Sequence, residues 1–208
     1  MASDKAATES HAPHPNAAGC LETADGARIY YEDHGEGQPI LLVHGWICSS
    51  RFWQKNVSEL ARKFRVVTVD LQGHGNSSKA LAGHTIRQYV RDMREIIEHL
   101  GLQQTVVVGW SLGGSVVLSY YEQYRTDARL KALGLVDTSP FPFNPAGWNS
   151  HALGNCNYNG TNATFAALAA DPRKFATAFA DKMFKQKPSN ADMDWVLTEL
   201  LKTPPWIA

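Results

Sequence analysis

Gly109-Trp110-Ser111-Leu112-Gly113 sets a serine between two glycines, directly after the apolar run Val106 to Val108 and at the head of a helix-like stretch. A strand-to-helix turn that only packs needs no hydroxyl, whereas a nucleophile does. Glycine on both sides has a steric reason, because in so tight a turn side chains two residues away would collide. Such a turn holds the serine in a strained backbone geometry with its Oγ exposed, and the following helix N-terminus favours developing negative charge. A serine at its ordinary pKa is a poor nucleophile, so this one needs a histidine within reach and a carboxylate to orient that histidine. After Ser111 the chain has one histidine, His151. Asp137 precedes it in the right order, but Asp137-Thr138-Ser139-Pro140 reads more simply as a turn cap and His151 as a loop residue.

Two further clusters carry polar chemistry: His44-Gly45-Trp46, and Asp70-Leu71-Gln72-Gly73-His74-Gly75-Asn76-Ser77. His44 is expected to stabilise its turn rather than act as a base, and Asp70 and His74 to order a glycine-rich loop. Gly73-His74-Gly75 by itself hints at metal, but no second ligand cluster accompanies it, so neither a metal nor a cofactor is expected.

The elements around these residues alternate between strand and helix. Residues 20–46 read as three strands, with a tight hairpin at Asp25-Gly26 and a strand buried on both faces at Ile40 to Val43. Trp53, Val57 and Leu60 share a helical face, with Ser49 or Ser50 as N-cap, and a buried strand follows at residues 65–70. Residues 85–101 form the strongest helix pattern. Ile86, Tyr89, Val90, Met93, Ile97 and Leu100 make its stripe, Thr85 and Gln88 a capping box, and Gly101 its C-terminal stop. A strand before Ser111, a helix after it and a strand at residues 130–137 complete the alternation. This predicts an α/β fold with a mainly parallel sheet and helices on both faces, whose function lies beyond the carboxyl ends of the strands.

From Ser139 the alternation stops. A Pro- and aromatic-rich loop leads into helices, one opened by Asp171-Pro172 and another by Ser189. The expected organisation is a disordered leader over 1–19, a core over 20–138 and a helical cap over 139–208. Phe141, Phe143, Trp148, Phe165, Phe179 and Trp195 are candidates to line an apolar pocket beneath that cap.

Three ordered motifs now carry a resemblance. His44-Gly45-Trp46 after one strand, the Asp70 to Ser77 loop after the next and the Gly109 to Gly113 turn after the third resemble the α/β-hydrolase superfamily over about residues 21–208. The likeness is greatest to its small cofactor-free esterases, non-haem haloperoxidases (perhydrolases) and lactone hydrolases. It implies a C-terminally truncated α/β-hydrolase fold with Ser111 as nucleophile and an oxyanion hole made by the backbone N–H groups of Trp46 and Leu112. It also implies a small apolar acyl substrate and an acyl-enzyme route. In this superfamily acid and base follow the last strands, and no segment after Asp137 reads as a strand. The alternative is therefore a catalytically incomplete, hydrolase-like binding protein. The strand at 130–136 is expected to be an edge with apolar faces, which predicts a homo-oligomer or a complementing chain.

Composition narrows the partners. Lys+Arg and Asp+Glu each number 20, so net charge is zero and no basic cluster suits nucleic acid or an anionic membrane. No apolar run approaches the roughly 20 residues that span a bilayer. His11 and His14 lie in a polar N-terminal stretch without the apolar centre of a signal peptide. Cys20, Cys48 and Cys156 form no disulfide framework, and a cytoplasmic setting is expected.

Overall fold

The computed structural model describes residues 16–139 and 157–208. Its sheet has six strands in the order β1-β2-β4-β3-β5-β6. These are β1 (Ala17–Glu22), β2 (Arg28–His34), β3 (Pro39–Val43), β4 (Arg65–Val69), β5 (Thr105–Trp110) and β6 (Leu130–Val136). β3 pairs in parallel with β4 and β5, and β5 with β6, while β1 and β2 add an antiparallel flank. β1 starts at Ala17, so Ala17–Gly19, read from sequence as leader, pair with Tyr31–Asp33. The polar residues 1–15 of that leader, with His11 and His14, lie outside the described residues.

β3 and β4 are buried on both faces because helices cover each side. Leu41, Val43, Val67, Val69 and Val107 point into one core with α2 (Ile86–His99) and α3 (Leu112–Tyr124). Their neighbours in the strands, Ile40, Leu42 and Val66, point the other way onto Trp53, Val57 and Leu60. Strand periodicity of two thus feeds two cores from one apolar run. Trp53 closes a 3-10 turn, Ser50–Trp53, that leads into α1 (Gln54–Leu60). The buried face of α2 is wider than the predicted stripe, since Ile96 is also fully buried where the helix meets both the sheet and α3. Thr85 caps α2 by accepting from the Gln88 N–H at 3.2 Å. The reciprocal half of the predicted box is replaced by a bond from Gln88 Nε2 to Asp92 Oδ1 at 2.8 Å.

Beyond β6 only helices follow among the described residues: α4 (Tyr158–Ala170), α5 (Pro172–Asp181) and α6 (Asn190–Leu200). Asp171 and Ser189 cap α5 and α6 as their sequence suggested, accepting from Lys174 N and Asp192 N. Ala176, Ala180, Val196, Leu197 and Leu200 of these helices bury Ile47 and Cys48, just past the end of β3. The helical layer therefore sits over the carboxyl ends of the strands. β6 forms one edge of the sheet, and its Leu135 and Val136 are exposed.

Candidate active site

Ser111 joins β5 to α3 at φ 54° and ψ −117°, a combination that side chains other than glycine rarely adopt. Such a residue costs about 1–3 kcal/mol of strain. Three hydrogen bonds hold it: Ser111 N–H to Val136 O at 3.0 Å, Gly114 N–H to Ser111 O at 2.9 Å and Thr138 Oγ1 to Ser111 O at 2.8 Å. Thr138, just past β6, is thus a clamp on the turn that the sequence pattern did not reveal.

The glycines around Ser111 are required by space. A Cβ on Gly109 would lie 2.2 Å from Gly113 O, and one on Gly113 would lie 2.4 Å from Val43 O and 2.6 Å from His44 O. α3 therefore abuts the end of β3 with no room for a methyl group. Gly45 continues this contact, since a Cβ there would stand 3.3 Å from Ser111 Cβ. The His44-Gly45-Trp46 turn is in this way packed directly against the serine.

Beyond Gly45 the chain turns with a bond from Cys48 N–H to Gly45 O at 3.2 Å. Buried Ile47 takes φ 52° there, a strained value for a β-branched residue that no sequence signal announced. The turn gives the Trp46 N–H no partner among the described residues, and Leu112, as the first residue of α3, likewise has an N–H that its helix cannot satisfy. Trp46 and Leu112 both line a cavity of about 840 Å³. Ser111, half-buried, is not itself one of the lining residues, but it directly precedes Leu112 and packs against Gly45. The Trp46 ring meets Phe165, Phe175 and Phe179 edge-on, and its Nε1 donates to Ala208 O at 3.2 Å.

Of the predicted pocket aromatics, Phe165 and Phe179 line this cavity. Trp195 does not: its ring packs on Phe52 at 5.2 Å with the Arg51 guanidinium over it, because α6 turns that face towards the 3-10 turn. Phe141, Phe143, Trp148, His151 and Cys156 lie outside the described residues.

His44 and the Asp70 loop support the site from below. The fully buried His44 has Nδ1 on Gly45 O at 2.7 Å, and its Nε2 accepts from Leu71 N–H at 3.0 Å. Burial lowers its pKa to about 4, so it is neutral and committed at both nitrogens. Asp70 accepts from the N–H groups of Ser50 and Asn76, each at 2.6 Å, and burial raises its carboxyl above the usual range despite them. Gly75 (φ 46°) makes this possible, because a Cβ there would sit 2.1 Å from Asp70 Oδ2. Lys79 Nζ closes the loop on the carbonyls of His74, Gly75 and Ser77.

None of the five described histidines bonds to Ser111. His34 pairs with Glu32, His99 with Tyr31, His74 with Gln72 O and His84 with Ala80 O. Asp137 is exposed at φ 43°, at the turn where its sequence suggested a cap. Among the described residues no group of three or more His, Cys, Asp or Glu could hold a metal ion.

Comparisons with known proteins bear on the family and the fold. Residues 38–185 match the family described as alpha/beta hydrolase fold, and the chain belongs to that family. It is 37% identical over 114 residues to a non-heme haloperoxidase of Rhodococcus erythropolis, covering 54% of this chain and 42% of that protein. It is also 37% identical over 118 residues to a bifunctional esterase/perhydrolase of Acinetobacter calcoaceticus, covering 55% and 43%. Among solved structures, a bromoperoxidase from Bacillus anthracis superposes with a TM-score of 0.81 at 27% identity, over 92% of this chain and 70% of that one. An esterase from Exiguobacterium antarcticum gives 0.83 at 22% identity, over 90% and 69%, which speaks to the fold alone. The matched region spans about two fifths of the length of these sequence relatives.

Proposed function

We propose that this chain carries the nucleophile and oxyanion hole of a serine hydrolase acting on small carboxylic esters or related acyl compounds. The observation that supports it most is the strained Ser111 turn packed on the Gly45-Trp46 turn, with the backbone N–H groups of Trp46 and Leu112, which have no partner among the described residues, beside an apolar cavity. Ser111 Oγ attacks the acyl carbonyl, and its proton passes to a base. The tetrahedral oxyanion is held by the N–H groups of Trp46 and Leu112, each worth about 3–4 kcal/mol of barrier in comparable sites. Collapse expels the alcohol, which takes the proton back, and water then releases the acid from the acyl-enzyme. α4 and α5 serve as the cap over the acyl group, with Phe165, Phe175 and Phe179 as its apolar lining. His151, or a histidine supplied by a further segment or a second polypeptide, is the base this scheme requires.

A second reading, a hydrolase-like binding protein without turnover, is favoured by one observation: no described histidine reaches Ser111. A fluorophosphonate probe followed by peptide mass spectrometry separates the two, with Ser111→Ala as control. Rapid labelling confined to Ser111 supports the enzyme and makes His151→Ala the next variant. A chain that is folded by circular dichroism yet stays unlabelled overturns it in favour of binding alone.

A further inference from the structure

Phe175, Ala178, Phe179 and Lys182 all line the cavity that Trp46 and Leu112 border. Their i, i+3, i+4, i+7 spacing is one face of a helix, so α5 turns that face to the cavity. Lys182 follows α5 as its C-cap in helical backbone geometry (φ −76°, ψ −15°), and its Cβ therefore continues the stripe. Side chains on a helix lean towards the N-terminus. For Lys182 that direction runs along Ala178 and Phe179, towards the rings of Phe175 and Phe179 that meet Trp46 edge-on.

The charge on this stripe has no counterpart. Lys182 is exposed, and none of the ion pairs among the described residues involves it. It is the one Lys or Arg among the described residues that line the cavity, and no Asp or Glu lines it with them. Residues 140–156, outside the described part of the chain, contain no Asp or Glu either. A lysine after the last turn of a helix also suits the negative end of the helix dipole, but that effect is served on any face. Lys182 falls on the face that lines the cavity, where its apolar stem can lie along the aromatic wall while the ammonium stays hydrated at the mouth.

We propose that Lys182 binds a carboxylate at the far end of the acyl group, so that the site prefers monoesters of dicarboxylic acids over neutral esters of the same length. The proposal rests on the reading of the cavity as an acyl pocket: the ester carbonyl sits at Trp46 and Leu112, the methylene chain runs along Phe175 and Phe179, and the free carboxylate meets Lys182 Nζ. A single ammonium, a compact point charge on a flexible stem, matches a monoanion of variable reach.

The test uses binding rather than turnover. The Ser111→Ala full-length chain is titrated with the monomethyl esters of succinic, glutaric, adipic and suberic acids and with neutral methyl esters of matching chain length, followed by ligand-observed NMR. At least one monoester is expected to bind about twofold to fivefold more tightly than its neutral counterpart at low salt, the range of an exposed ion pair, and the advantage should shrink as salt is added. Lys182→Met keeps an apolar stem without the charge and should bring the two affinities together. Lys182→Arg should keep the preference and Lys182→Glu should reverse it, with circular dichroism confirming that each exposed-site variant is folded. Equal binding of charged and neutral esters, a preference that survives Lys182→Met, or no binding of any ester overturns the proposal. A Lys182-dependent preference without fluorophosphonate labelling of the parent chain leaves this recognition standing and removes the acyl chemistry. Labelling without preference does the reverse.

Discussion

Gly113→Ala separates local propensity from tertiary packing by the sign of its effect. Gly113 is the second residue of α3, and in a helix alanine is favoured over glycine by about 1 kcal/mol, so propensity alone predicts a stabler protein. The structure predicts the opposite. The new methyl carbon would lie 2.4 Å from Val43 O and 2.6 Å from His44 O, and both are backbone atoms at the end of a central strand that no rotamer can move aside. α3 must lift off β3, and overpacking of this kind costs about 1–3 kcal/mol. With the barrier to relief set by backbone on both sides, the upper part of that range applies, which leaves a net loss of about 2 kcal/mol after the helix gain. For a domain of this size that lowers Tm by about 4–8 °C. Thermal melts followed by circular dichroism, with urea titrations to check that the slope is unchanged, measure it. An unchanged or raised Tm would refute the close contact between α3 and β3 and, with it, the placement of the Leu112 N–H beside the Gly45-Trp46 turn.

Other consequences concern buried charge and the sheet edge. Burial raises the Asp92 carboxyl to about 7, and its Oδ2 has no partner, so the folded chain holds a proton that the unfolded chain releases near pH 4. Stability should then fall as pH rises from about 4 through about 7, and Asp92→Asn should remove that decline and stabilise the protein at pH 8 by about 1–3 kcal/mol in urea titrations. Burial alone raises the Glu199 carboxyl, but bonds from Lys202, Ser49 and Arg51 outweigh it and hold it below the usual range. Glu199→Ala leaves Ser49 unpaired beneath α6 and should cost about 1–3 kcal/mol, seen also as faster proteolysis near α6; stability equal to that of the parent would show the cluster to be inert. The apolar edge at Leu135 and Val136 should make the chain self-associate, and Leu135→Lys should lower its mass by light scattering. A parent chain that is monomeric at high concentration removes that expectation.

Much of the site was legible because its motifs answer to local geometry. Ser111 between glycines, His44 as a turn residue and Asp70 as a loop organiser all stand where their neighbours in sequence put them. The caps at Thr85, Asp171 and Ser189 were readable for the same reason. Thr138, Ile47 and the tautomer of His74 were not. Thr138 acts on a residue 27 positions away through strand pairing. Ile47 takes its positive φ in a turn that α5 and α6 bury, and the His74 tautomer depends on a carbonyl only the folded loop presents. Trp195 misled because an aromatic on a helix such as α6 looks alike from either face.

The sequence by itself determined the alternation of strands and helices and the position of the Ser111 turn, since each follows from periodicity or from steric demands within a few residues. Only the tertiary structure decided which N–H groups beside Ser111 find no partner among the described residues, which of the described aromatics line the cavity and which of the described histidines are committed elsewhere. Those outcomes depend on atoms brought together across tens to more than a hundred residues, where the pairing of strands and the seating of helices, rather than local preference, fix every distance.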